Sequence, residues 1–173
     1  MPVVVQGAVA ARKALKQLNP EMAKQTNKEI GSLLKVITTK ARGFVPSESP
    51  MSGWAMGTQK GKWETRAFDS LTMRRGITYS LAPTRPNNQG FRSVATIYNK
   101  SAAGAIYETA GRKSGMTGKF SPRMGGELKG GTPKTTGRLI YRAWDEDNGR
   151  IQAKVIKALE GTINKVFAGG KAA

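Results

Sequence analysis

Apolar residues recur at helical spacing early in the chain and at strand spacing in its middle. Leu15, Leu18 and Met22 share one helical stripe, which Ile30, Leu33, Leu34 and Ile37 resume and Ala41 and Phe44 extend. Asn19-Pro20-Glu21 interrupts it in a telling way. Asn is a good N-cap, Pro suits the first helical position, and Glu complements the positive end of a helix dipole. The pattern predicts an N-terminal arm or short helix over residues 1–18 and a long helix over 20–43. Pro46 and "PSESPMSG" then begin a loop or insert over 45–75, crowded with Trp54, Trp63, Phe68, Leu71 and Met73.

Further on, Ile77, Tyr79 and Leu81 alternate with polar neighbours. A second such run places Val94, Thr96 and Tyr98 on one face and Ala95 and Ile97 on the other. Joined through the turn-rich "TRPNNQG", they predict an antiparallel hairpin over 76–100, whose apolar face the long helix must cover. "SAAGAIYETAG" reads as a short helical turn capped by Ser101 and ended by Gly111. Residues 111–137 form a basic arm with eight glycines and one carboxylate, Glu127. Ile151, Val155, Ile156, Leu159, Ile163 and Val166 then mark a C-terminal helix over 145–167. The expected fold is one α+β domain spanning 1–173, its long N-terminal amphipathic helix and C-terminal helix packed on a small antiparallel β-sheet, with long Gly-rich loops.

Charge changes this picture most. Twenty-nine Lys and Arg against eleven Asp and Glu leave a net +18, with no His. Such an excess attracts polyanions and favours salt-sensitive contact with phosphates, and it equally suits an acidic protein partner. No run approaches the length of apolar sequence needed to cross a bilayer, so no membrane contact is expected. The absence of Cys excludes disulfides and thiolate metal sites.

Without His and Cys the usual catalytic bases, metal ligands and thiol nucleophiles are missing. Asp145, Glu146 and Asp147 are consecutive and cannot all face one cation, so they read as favourable charge at a helix N-terminus. "GGELKGGT" has two glycines at phosphate-loop spacing but lacks the Lys that must precede Ser/Thr. Tyr79 and Tyr98 lie in strands while the basic residues lie in loops, the reverse of a base-stacking surface. A Ser–Lys or paired-carboxylate mechanism stays formally open, though no constellation for one is visible, and no cofactor, metal or small-molecule substrate is expected. A basic nucleic-acid-binding or architectural protein stands as one reading of the charge.

The order of motifs resembles the neck or tail-completion family of long-tailed bacteriophages, the head–tail joining proteins. Three segments carry the resemblance: Arg42, Val45, Pro46 and Gly53 at the end of the basic helix, Tyr98 with "AIYETAG" after a short β region, and "YRAW" from Tyr141 at the start of a C-terminal helix. The Gly-Thr that usually follows the glutamate appears here as Thr109-Ala110-Gly111. The resemblance implies a structural virion protein, assembled in the host bacterial cytoplasm into a homo-oligomeric ring with six-fold symmetry expected. Its neighbours would be the connector or stopper on the head side and the tail terminator on the other, with DNA passing through the ring.

On that reading, Trp54, Met56, Trp63, Tyr98, Tyr107, Glu108 and Arg112 are candidates for a subunit or partner interface, aromatic anchors being common at such surfaces. A core role competes for the same aromatics. Lys113, Lys119, Arg123, Lys129, Lys134 and Arg138 would form a basic arm touching acidic subunits or DNA. Glu108, a rare carboxylate in a basic chain, has two competing uses. It forms an exposed pair with Arg112 four residues on, or a partly buried structural or intersubunit contact.

Overall fold

The computed structural model describes residues 8–51, 54, 67–112, 124, 127–132 and 134–169. It is a helix-rich α+β protein with six helices and a two-stranded antiparallel sheet among the described residues. The elements are α1 (Ala8–Leu18), α2 (Pro20–Gly43), α3 (Ser70–Gly76), β1 (Ile77–Ser80), β2 (Thr96–Asn99), α4 (Ala102–Thr109), α5 (Ile140–Asp147) and α6 (Arg150–Gly169). The chain divides into two compact units. One comprises Ile37–Thr78 and Ile97–Asn148, the other Pro2–Val36, Tyr79–Thr96 and Gly149–Ala173.

The Asn19 break has a local cause. The Asn19 side-chain oxygen accepts the Met22 amide at 3.0 Å, capping α2, and Pro20 occupies its first turn. Restarting the helix there turns Leu18 out of the stripe to 72% exposure, whereas Leu15 stays buried. Along α2 the buried positions are Ala23, Thr26, Ile30, Gly31, Leu34, Ile37, Thr38 and Ala41, which lie along one inward face.

In the unit that holds α6, the α1 and α6 helices touch, and Thr26 and Thr162 hydroxyls share a hydrogen bond at 2.9 Å. Ile151, Val155 and Leu159 form the buried stripe of α6. Arg12 binds α1 to its surroundings. Its guanidinium donates to the Leu81 and Val94 carbonyls at 3.2 and 2.8 Å and to the Asn27 side chain. Burial lowers the Arg12 pKa.

In the other unit, Asp69 caps α3 by accepting the Leu71 amide at 2.9 Å, and Ser101 caps α4 by accepting that of Gly104 at 2.9 Å. Arg42 at the end of α2 donates to the Ile77 carbonyl at 2.6 Å, and Arg74 to that of Val45 at 3.0 Å. Three expectations change here. The 45–75 segment contains a helix, α3. The C-terminal helical region is two helices, parted at Asn148 and Gly149, whose φ angles of 51° and 74° both lie in the left-handed region that ends a helix. Finally, Asp145, Glu146 and Asp147 sit in the last turn of α5, where the dipole disfavours them. Glu146 is compensated by Arg142 at 2.9 Å, Lys40 at 3.0 Å and Lys129 at 3.9 Å. Among the described residues no group of His, Cys, Asp and Glu is arranged to hold a metal ion.

Candidate functional site

The segments around Glu108 and Tyr141 meet where α4 ends and α5 begins. α5 starts at "RLIYRAW" without a capping side chain of its own: Leu139 is its N-cap and offers no acceptor. The first amides of a helix still need partners. Glu108, near the end of α4, supplies them. One carboxylate oxygen accepts the Leu139 and Ile140 amides at 2.6 and 3.1 Å, and the other accepts that of Tyr141 at 2.8 Å. Glu108 is buried, 5% exposed. Its negative charge stands at the positive end of the α5 dipole. The helix cap thus comes from a residue more than thirty positions earlier in the chain.

Arg138 performs the converse service. Its guanidinium donates to the Tyr107 and Ala110 carbonyls at 3.0 and 2.6 Å, closing the carboxyl end of α4 where a cation suits the dipole. It also lies over the Tyr107 ring, 5.6 Å from its centre, and is 1% exposed. Two short helices therefore cap each other's open ends through one buried carboxylate and one buried guanidinium. Gly137 is the clearance between them, because a Cβ there would fall 2.2 Å from the Glu108 carboxylate. Backbone hydrogen bonds from Lys129 to Gly137 and back, at 3.0 and 2.9 Å, hold that glycine in place.

Burial pushes the Glu108 carboxyl above the usual glutamate range, against the pull of the three amides and of the Arg112 charge. Burial likewise lowers the Arg138 pKa, while Tyr107 and Glu108 raise it. The Tyr107 hydroxyl is pushed up by the same desolvation. Chemically, the arrangement fixes backbone. Both Glu108 oxygens are occupied by amides of its own chain.

The other expected site residues fall in several places. Trp54 packs edge-on against Phe68, centroids 5.4 Å apart, and stacks on Tyr107 at 6.3 Å. Tyr107 is buried, whereas Tyr98 is 36% exposed. Arg112 donates to the Thr136 carbonyl and lies 4.7 Å from the centre of the Tyr141 ring, so the exposed Glu108–Arg112 pair does not form. Lys129 lies near Glu127 and Glu146, at 3.7 and 3.9 Å, and Lys134 is exposed in a turn. Arg138, expected on an exposed arm, is interior. Desolvating a guanidinium is tolerated there because carbonyls at a helix end receive it. Met56, Trp63, Lys113, Lys119 and Arg123 lie outside the described residues.

Comparison of the chain with protein-family models, with curated proteins and with solved structures finds no match. The site therefore rests on geometry. Sequence reasoning missed Gly137, Arg138 and the 139–141 amides as parts of one device. One signal was available: a helix beginning near "LIYRAW" with no Ser, Thr, Asp or Asn at its start requires an acceptor from elsewhere.

Proposed function

We propose that this chain is a structural protein of the neck of a long-tailed bacteriophage, building a homo-oligomeric ring between the connector of the DNA-filled head and the tail. One observation carries the reading: the three resembling segments, far apart in the chain, interlock in one unit. Phe44 of the first lies under the Arg142 guanidinium of the third, 4.1 Å away. Glu108 of the second caps the helix that carries "YRAW". Lys40 beside the first joins Glu146, two residues after the third, at 3.0 Å. Residues that fit a shared pattern because they hold one another suit a protein whose task is shape. A net charge of +18 suits a ring beside DNA and acidic subunits. In this proposal the ring is six-fold, occupies the virion neck after assembly in the bacterial cytoplasm, and turns over no substrate.

The test is electron microscopy and light scattering of the purified full chain, alone and mixed with connector rings. Rings, or decoration of connectors, are expected. A monodisperse monomer that neither docks to connectors nor enters particles overturns the proposal. If that monomer binds DNA tightly with a steep salt dependence, the architectural reading takes its place.

A further inference from the structure

The unit built from α1, α6 and the 79–96 segment contains a cleft of about 560 Å³, within the size range of sites that accept a ligand or a few side chains. Its lining includes buried Leu15 and Ala23, exposed Pro20 and Pro83, the polar Arg12, Thr26 and Asn27, and the cations Lys13, Lys16, Lys24 and Arg92 at the rim. Among the described residues that line it there is no carboxylate and no aromatic side chain. All four rim cations are exposed. Lys13 and Lys16 are three residues apart on α1, where like charges on a helix surface repel. Two of the lining residues, Arg12 and Asn27, also tie the walls together. Arg12 has its guanidinium committed to Leu81, Val94 and Asn27, which joins α1, α2 and the 79–96 segment around the opening.

We infer that this cleft is a docking site for an acidic peptide segment of a partner protein, its carboxylates on the rim lysines and an aliphatic side chain against the apolar lining residues. Charge complementarity selects the sign of the occupant, since concentrated positive charge without internal counter-charge lowers the energy of an incoming anion. Those apolar residues select a peptide over nucleic acid. An aliphatic side chain gains from leaving water there. Among the described lining residues bases would find no ring to stack on, which single-strand binding ordinarily uses. The inference concerns this cleft alone and holds whether or not the chain forms a ring.

The experiment measures fluorescence anisotropy of the full chain with three labelled probes. These are a glutamate peptide with leucine at every third position, an all-glutamate peptide of equal charge, and an oligothymidylate of equal charge. The variants are Lys16→Glu/Lys24→Glu in the cleft and Lys28→Glu/Lys100→Glu outside it, all exposed positions with matched net charge. Circular dichroism melts check that both double variants remain folded. The leucine-bearing peptide is expected to bind about tenfold tighter than the all-glutamate one. Its affinity should fall about tenfold in the cleft variant and stay within about twofold in the outside variant. The oligothymidylate should weaken equally in both, following net charge alone. Absence of peptide binding, equal loss in both variants, no gain from leucine, or discrimination by the oligothymidylate only would each overturn the assignment.

Discussion

The joint between α4 and α5 and the cleft beside α1 use charge in opposite ways. At the joint, Glu108 and Arg138 are interior, and backbone groups of their own chain receive them. At the cleft, Lys13, Lys16, Lys24 and Arg92 stand in water around Leu15 and Ala23, with no carboxylate among the described lining residues. The contrast teaches where charge holds structure together in a basic chain. A desolvated ion must be hydrogen-bonded to be tolerated, so it locks whatever bonds it. A solvated ion contributes little to folding and stays available to a partner.

The sharpest way to break this comparison is to empty the joint. Glu108→Ala leaves the amides of residues 139–141 without their acceptor in a buried setting. It should cost about 3 kcal/mol, from an unmade buried hydrogen bond and a lost cap. In thermal unfolding, a drop equivalent to less than about 1 kcal/mol would show that Glu108 does not hold α5. Next in size is Arg138→Met, which keeps bulk but loses the bonds to the Tyr107 and Ala110 carbonyls. About 2 kcal/mol of destabilisation is expected, with Arg138→Lys restoring less than half because an ammonium cannot reproduce the planar fork.

Smaller is the cap of α2. Asn19→Ala removes the acceptor for the Met22 amide and should cost about 1 kcal/mol, read in the same melts, with Asn19→Asp close to neutral. By contrast, Lys16→Glu/Lys24→Glu should move stability by no more than about 0.5 kcal/mol, as exposed substitutions do. A large loss there would mean the rim lysines are structural and would erase the distinction between the two regions.

The smallest effect separates two carboxylates by their response to pH. Burial raises the Glu108 pKa on folding, so its contribution is present below the ordinary glutamate value and is lost as pH rises through the folded one. Hydrogen bonds from Arg142 and Lys40 lower the Glu146 pKa, so its contribution is present above the ordinary value and is lost as pH falls through the folded one. Denaturant unfolding from acid to neutral pH should therefore give opposite slopes. The stability of the parent relative to Glu108→Gln should fall with rising pH, and relative to Glu146→Gln it should rise. Slopes of the same sign would contradict the burial assigned to Glu108.

What was legible in the sequence was local. The stop and restart at Asn19-Pro20 could be read because an N-cap and its target amide lie three residues apart. The Ser101 cap of α4 was readable for the same reason. Helical periodicity gave Ile30, Leu34, Ile37 and Ala41 on the buried face of α2 but not Ala23 or Thr26, and its Met22 and Leu33 are half-buried. It failed at Leu18, because a stripe continues on paper across a break that rotates the real helix. The acidic run at 145–147 was misplaced because composition does not show which end of a helix a residue occupies.

By itself, then, the sequence determined the class of fold, the excess of positive charge and the absence of His and Cys. Only the tertiary structure decided that Glu108 and Arg138, thirty residues apart, cap each other's helices, and that Arg138 is interior instead of part of an exposed arm. The physical reason is range. Propensity and periodicity act over a few residues, whereas a buried ion takes its partner from whichever backbone the fold brings within about 3 Å. Positions with the same residue type thus diverge, one arginine holding the interior together and another standing at the rim of a cleft.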